Sequence, residues 1–356
     1  MNPFKFGTIV EGKYFTDRVQ ILSEIKGILG SANHLVLISP RRFGKSSLVA
    51  KSLKELDRPF VSVNLQSISS VTELSTKILR GIFKIKPIEK LKHDILSFRA
   101  IPSVSLNPLN GNVDVTFLPE ADSAVILEDV FSLAGSISKS GKRLIIAFDE
   151  FQEILEIEKG LDKKLRAILQ TLSNVNFVFM GSQESMMTEI FEKKTSPFYH
   201  FGEKVNLPKL PYSEFKEYLA DGFREIAQNP SDGLAEAVLQ FTGCHPYYGQ
   251  QLAFHLWETI KCYGYDEGTF DAVIQKIVCS HDLDYSRLWD SLPRTDRLTL
   301  QLICRRGNPL KYGGMPTSTM FSSLKRLCKK GFLNRMPEAY EIEDPFFAMW
   351  IGENMM

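Results

Sequence analysis

The sequence predicts an α/β fold with a parallel sheet covered on both faces, and three observations predict it. Short, near-continuous apolar runs recur through the first half, at His34–Ser39, Pro59–Leu65, Arg143–Phe148 and Asn176–Gly181. Stretches of helical period separate them, and a Gly-Lys-Ser triplet follows the first run after four residues. A strand buried on both faces loses the alternation of a half-buried one, so unbroken apolar runs between helices indicate a parallel sheet.

Taken in order, His34–Ser39 (HLVLIS) reads as a first strand, followed by a Gly-containing turn and a helix from about Lys45 to Leu56. Pro59–Leu65 is a second strand, Val71–Phe83 a helix, and Arg143–Phe148 and Asn176–Gly181 a third and fourth strand. Ser123–Ser138 and Leu161–Leu172 read as helices, and Lys204–Leu207 as a short fifth strand. Between Lys84 and Asp122, Pro87, Pro102, Pro108 and Pro119 interrupt the pattern. That segment reads as an insertion with a hairpin about Asn110-Gly111. Past Pro211 the chain is helical, with Ser213 the expected N-cap. Leu298–Arg306 and Ser318–Lys330 follow as helices, the second with Phe321, Leu324 and Leu327 on its apolar stripe. Gly331 ends it, FLNRMPEAYEI reads as a hairpin, and helix, helix, hairpin is the order of a winged helix.

Composition narrows the class. The 356 residues carry 43 Lys+Arg against 42 Asp+Glu and are 44% hydrophobic, which excludes disordered and collagen-like chains. The length suggests two or three domains. No apolar run approaches the roughly 20 residues that span a bilayer, and the N-terminus lacks a signal peptide's apolar stretch. The five cysteines are odd in number and lack a C-x-x-C, fitting reduced thiols better than disulfides or zinc. A soluble cytoplasmic protein with no membrane partner is expected. Charge is uneven: Arg297–Pro337 holds nine bases and no acid, and the following tail holds five acids and no base.

The strongest chemical signal is Ser39-Pro-Arg-Arg-Phe-Gly-Lys-Ser-Ser47, lying between a buried strand and a helix. It matches the phosphate-loop pattern G-x-x-x-x-G-K-[ST] except that Ser39 replaces the first glycine. Ser39, Pro40, Arg41, Arg42, Phe43, Gly44, Lys45, Ser46 and Ser47 are therefore candidate nucleotide-binding residues. Gly44 lets backbone N–H groups approach phosphate oxygens, Lys45 bridges the β- and γ-phosphates, and the Ser46 hydroxyl ligates Mg²⁺. The strand Leu144–Phe148 ends in Asp149-Glu150. Asp149 suits the Mg²⁺ shell, and Glu150 suits orienting or deprotonating an attacking water. A third strand end, Gly181-Ser182-Gln183, offers Gln183 as a polar sensor of the γ-phosphate; a plain turn is the alternative. Lys45, Glu150 and Gln183 are the catalytic candidates, with ATP or ADP and Mg²⁺ as cofactors.

These residues resemble the archaeal-type ATPase family of the AAA+/STAND P-loop NTPases. The resemblance rests on Asn2-Pro3-Phe4, Phe15-Thr-Asp-Arg18, PRRFGKSSL, IIAFDEFQE, GSQESMM, Thr242-Gly-Cys-His-Pro246-Tyr-Tyr and Tyr340-Glu-Ile-Glu-Asp344-Pro345-Phe-Phe-Ala-Met-Trp350. It implies an ASCE-type parallel sheet of order 5-1-4-3-2 in residues 1–210 with 84–122 inserted, a helical lid (211–285) and a C-terminal winged-helix domain (286–356). It also implies adenine near residues 9–18, with Phe15 and Arg18, and near His245-Pro246 in the lid. A helix-capping or core histidine is the plain alternative for His245. Relatives often carry an arginine after the segment Pro197–Phe201, where this chain has His200 and Phe201. The absence of that arginine implies hydrolysis that is slow or waits on a partner, since such an arginine is worth about 10³–10⁵ in rate.

Two functional classes follow. One is an ATP-binding switch with weak or partner-dependent hydrolysis. The other is a DNA-binding protein in which nucleotide is mainly a structural ligand, with Lys325, Arg326, Lys329 and Lys330 facing the duplex and Arg335 on the wing. The basic winged helix suits double-stranded DNA or a protein partner. A small-molecule kinase is disfavoured, because the Asp149-Glu150 pair suits water activation and no acceptor motif is visible.

Overall fold

The computed structural model describes residues 1–16, 18–106, 113–139, 142–226, 231–306, 315–336 and 339–355. They form two compact units, one of Val19–Ser39 with Leu48–Leu207, the other of Met1–Arg18, Pro40–Ser47 and Pro208–Met356.

The first unit is built on five strands: β1 (Leu35–Ile38), β2 (Phe60–Asn64), β3 (Leu144–Asp149), β4 (Val175–Gly181) and β5 (Glu203–Asn206). Across the sheet they run 2-3-4-1-5, every neighbouring pair parallel. This is the order 5-1-4-3-2 that the family resemblance implies. Every residue of β1 and β4 is buried, as is all of β3 except Asp149. Their two-sided burial explains why they read as unbroken apolar runs. β2, at one edge, alternates exposed and buried residues.

Register fixes what shares an edge. Ile38 pairs with Gly181, Phe148 with Phe179, and Asp149 with Asn64. The carboxyl ends of β1, β3 and β4 therefore lie side by side, where open α/β sheets bind ligands. Phe148, Phe151, Phe177, Phe179, Phe191 and Phe198, all nearly inaccessible, form one aromatic cluster on these strands. The helix Val71–Ile85 begins at Ser70, whose side chain accepts from Glu73 N while Glu73 Oε2 accepts from Ser69 N. It buries Leu74, Ile78 and Ile82 in the same core as Val61 and Val63 of β2. In the insertion, Ser103–Leu106 pairs antiparallel with Val113–Thr116; the expected Asn110-Gly111 turn lies outside the described residues.

The second unit is mostly helical. Its helices are Tyr212–Arg224, Ser231–Thr242, Pro246–Tyr263, Thr269–Ser280, Asp282–Ser291, Arg294–Arg306, Thr317–Lys329 and Pro345–Asn354, with a hairpin of Leu333–Arg335 and Tyr340–Ile342. The N-terminal segment packs into it: Phe4 is wholly buried among Tyr218 and Phe223, and Asn2 Nδ2 donates to Phe254 O at 3.1 Å. Gly222 is required there, because a Cβ on it would stand 2.4 Å from the Phe4 ring.

Three local expectations are corrected. The helix expected to be capped by Ser213 starts at Tyr212 after Pro211, with Phe215 N bonding to Pro211 O, so Ser213 lies inside the first turn. The helix expected from Leu298 starts at Arg294, since Asp296 N and Arg297 N already bond back to Pro293 O. Phe321, placed on the apolar stripe, is 53% exposed; Met320, Leu324 and Leu327 form the buried face. Among the described residues, no helix is long and apolar enough to cross a membrane.

His34, just before β1, accepts a hydrogen bond at Nδ1 from Phe177 N at 3.2 Å. Burial, then the charge of Arg166, lowers its pKa from 6.5 to about 4. The unfolded chain therefore binds a proton that the folded chain refuses between these values. Stability is fully present above pH 6.5 and declines as pH falls toward 4, by on the order of 2 kcal/mol once partial exposure is allowed for. Urea denaturation between pH 7 and pH 4 should show this slope in wild type and a flatter one in His34→Gln.

Candidate functional site

In the second unit the loop Pro40–Ser47 carries left-handed backbone at Arg42 (φ 64°) and Gly44 (φ 86°), and the helix Lys45–Glu55 starts directly after it. Glycine is at home at φ 86°, and an added Cβ at Gly44 would meet nothing within 4 Å, so the space before the loop is open. Left-handed turns at a helix N-terminus gather backbone N–H groups into an anion-accepting concavity. Lys45 is 6% exposed and its Nζ donates to Pro40 O at 3.2 Å. Lys45, Gly44, Ser46 and the loop thus fit a nucleotide phosphate. Arg41 projects at the surface.

The N-terminal segment holds this loop from one side. Arg18 Nη2 donates to Phe43 O at 2.9 Å and Val10 N donates to Ser47 Oγ at 3.0 Å. A cleft of about 540 Å³, its open mouth included, lies beside the loop; Tyr14, Phe15, Arg18, Gly44, Pro246 and Tyr247 are among its lining residues. Its aromatic walls and the charged side chains of Lys5, Arg18 and Arg42 suit a flat heterocycle joined to a phosphate group.

His245 is 1% exposed and caps the helix Pro246–Tyr263, its Nδ1 accepting from Tyr247 N and Tyr248 N. Its ring meets Phe43 of the loop edge-on at 4.8 Å. The structural histidine and the loop neighbour are therefore one residue. Arg42 Nη1 donates to Tyr248 Oη at 3.0 Å, and its guanidinium lies 4.5 Å over the Tyr247 ring. Burial opposes that charge, but Tyr248, Tyr247 and Glu343 outweigh it and hold the Arg42 pKa above the usual arginine value. Tyr247 and Tyr248 stood in the sequence only as neighbours of His245-Pro246; nothing local marks them as partners of Arg42.

The first unit holds the other candidates: Ser39, Asp149, Glu150 and Gln183. Ser39 is fully buried, its N donates to Gly181 O, and it is not among the described non-glycine residues with positive φ. No glycine is needed there, which accounts for the departure from the loop pattern. Glu150 ends β3 with left-handed backbone (φ 52°). Its Oε2 accepts from Ser182 Oγ at 2.6 Å, Ser182 N at 3.2 Å and Gln152 Nε2 at 2.7 Å. Asp149 Oδ1 accepts from Glu150 N. Gln183 stands at the start of the helix Glu184–Glu192 without a side-chain cap bond. Ser182, one position earlier, is the residue from the β4 end that touches Glu150; its place after a buried glycine was the only sequence signal.

Among the basic residues of the C-terminal segment, Arg326 is committed to structure. It pairs with Asp296, whose side chain is wholly buried, and Ser323 Oγ donates to the same carboxylate at 2.6 Å. Burial works against that carboxylate, yet these donors hold its pKa below the usual value. Asp296 lies one residue outside the acid-free stretch, so the count of uncompensated bases missed it. Lys325, Lys329, Lys330 and Arg335 are exposed, with no ion pair among the described residues. Where relatives often carry an arginine, Phe201 lies under the Arg166 guanidinium at 4.0 Å. Arg224, the next arginine along the chain, pairs with Asp221.

A five-stranded parallel sheet in this order, a Gly-Lys-Ser loop after β1 and an acidic end to β3 define a P-loop NTPase of α/β class. The chain belongs to the family described as an ATPase domain predominantly from Archaea, which matches residues 15–252. No curated protein matches the chain. A Walker-type ATPase of Pyrococcus abyssi is similar in structure, with TM-score 0.66 and 18% identity over 95% of this chain and 96% of that one. The ORC2 protein of Aeropyrum pernix, solved in ADPNP–ADP complexes, gives TM-score 0.58 and 14% identity over 96% and 94%. The ORC1 protein of Aeropyrum pernix in complex with DNA gives 0.52 and 13% over 94% and 91%. At these identities the likeness establishes the shared fold.

Two outcomes follow from the packing. Arg326→Ala leaves the Asp296 carboxylate buried without its cation and should cost about 2–3 kcal/mol in chemical denaturation, Arg326 being itself partly exposed. Ser39→Gly restores the loop pattern but removes a fully buried side chain and adds unfolded-state freedom, and should lower stability by at least about 0.5–1 kcal/mol in the same assay.

Proposed function

We propose that the protein is an ATP-binding switch of AAA+/STAND type whose hydrolysis is weak or depends on a partner. The observation that carries this reading is the left-handed turn at Arg42 and Gly44 running into buried Lys45 beside an aromatic cleft. In this reading Lys45 and the loop N–H groups hold the phosphates, and the cleft by Phe15, Arg18 and Pro246 takes the adenine. Ser46 and Asp149 hold Mg²⁺, which when bound neutralises phosphate charge. Glu150, aimed by Ser182 and Gln152, orients the attacking water, and Gln183 reads the γ-phosphate. The Arg166-covered Phe201 and the Asp221-paired Arg224 support slow turnover without an arginine from elsewhere. The proposal keeps the division into an ATPase domain (1–210), a helical lid (211–285) and a winged-helix domain (286–356).

A second reading is favoured by the four exposed bases Lys325, Lys329, Lys330 and Arg335: a phosphate-tracking surface for double-stranded DNA, with nucleotide as a structural ligand. It predicts DNA affinity that falls steeply with salt and is the same with ATP, ADP or neither. Reversing the charge of Lys325, Lys329 and Lys330 should then abolish binding; Arg326 is left untouched because it supports Asp296.

Steady-state ATP turnover of wild type and Glu150→Gln, with and without duplex DNA, tests the primary reading. Low wild-type turnover falling by about 10²-fold or more in Glu150→Gln is expected. Lys45→Ala should abolish ATP binding, and retained affinity in that variant would overturn the site assignment.

A further inference from the structure

We propose that Glu343, in the C-terminal segment, is a positioning residue for the phosphate loop, acting through Tyr248 and Arg42. The inference rests on the nucleotide-site reading above. It starts from Arg42, whose φ of 64° is unfavourable for any residue with a Cβ. Such a backbone persists only where its surroundings hold it, and the side chain shows the holder. The Tyr248 hydroxyl accepts from Arg42 Nη1 at 3.0 Å and donates to Glu343 Oε2 at 2.8 Å. The Tyr247 ring supports the guanidinium at 4.5 Å.

Glu343 is itself fixed. Its backbone N bonds to Phe332 O at 3.0 Å, and the next residue, Asp344, caps the helix Pro345–Asn354 through Phe346 N and Phe347 N. Its Oε1 stands 3.3 Å from His245 Nε2, and His245 caps the helix that carries both tyrosines. One carboxylate thus accepts from the tyrosine that holds Arg42, while its other oxygen lies beside the helix's capping histidine without a hydrogen bond. Tyr248 is 1% exposed and the Glu343 side chain 13%, so water is a poor substitute in the bond between them, while Arg42 itself is exposed. The left-handed turn of the loop therefore depends on the C-terminal segment being docked. Without Glu343, Tyr248 loses its acceptor, Arg42 relaxes toward right-handed backbone, and the N–H concavity that faces phosphate opens.

The test is ADP affinity by calorimetry, on the full chain. Tyr248→Phe, which removes one oxygen and keeps the ring, and Glu343→Ala should each weaken ADP binding about tenfold, the size of one hydrogen bond to a charged group. Glycine adopts φ near 60° without a holder. Adding Arg42→Gly to either variant should therefore bring affinity back to within about threefold of wild type. A residue that only stabilises the helix, or an arginine that itself grips phosphate, predicts no such rescue. Unchanged affinity in both single variants, or double variants no tighter than the singles, overturns the proposal. If Glu343→Ala does not fold, Tyr248→Phe with and without Arg42→Gly decides alone. Wild type that binds no ADP overturns the nucleotide-site reading itself, whereas wild type that binds and loses binding in Lys45→Ala leaves that reading standing whichever way the rescue falls.

Discussion

Parallel pairing of β1, β3 and β4, each buried on both faces, brings the carboxyl ends of all three to one edge of the sheet. Polar residues gather where the apolar strands stop, and pairing in register makes the strands stop together. Ser39, Asp149, Glu150 and Ser182 are the residues at those stops. The aromatic cluster beneath, from Phe148 to Phe198, resists a slip of the strands, because a shift of one residue would force large rings into spaces packed for other side chains.

Two residues of the candidate site sit on backbone that other side chains hold. Glu150 and Arg42 both lie in the left-handed region, and each is held by hydrogen bonds from beyond its own turn: Ser182 for Glu150, Tyr248 for Arg42. Strained backbone of this kind is worth roughly 1–3 kcal/mol and is kept where position matters. At Ser39, the one place where a glycine was expected from the loop pattern, the backbone is ordinary, and a serine serves.

Charge is distributed by the same logic. The C-terminal segment reads as uniformly basic only when its acids are counted within fixed limits. Asp296 neutralises Arg326 from just outside them, and the acidic tail turns elsewhere, Glu341 to Lys209 and Glu343 to Tyr248. Lys325, Lys329, Lys330 and Arg335 are exposed, with no ion pair among the described residues. A stretch of bases in sequence thus divides into arginines tied into the structure, Arg297 to Asp290 and Leu292, and Arg326 to Asp296, and a solvent-facing set whose partner is a matter of experiment.

The α/β class, the positions of the sheet strands, the loop at Gly44-Lys45-Ser46 and the acidic end of β3 were legible in the sequence. They depend on local patterns: two-sided burial makes apolar runs, and phosphate chemistry demands its residue types at fixed spacing. Sequence did not reveal that Ser182 rather than Gln183 meets Glu150, because which of two adjacent side chains turns inward is set by register with β1. Nor did it reveal that Tyr248 joins Arg42 to Glu343, residues separated by 206 and 95 positions in the chain. Phe321 was misplaced because a helix stripe read from spacing alone leaves its centre uncertain by one position. Sequence determined which chemistry this protein carries; contacts between distant segments decided which side chains aim it, since only folding brings their atoms within hydrogen-bond reach.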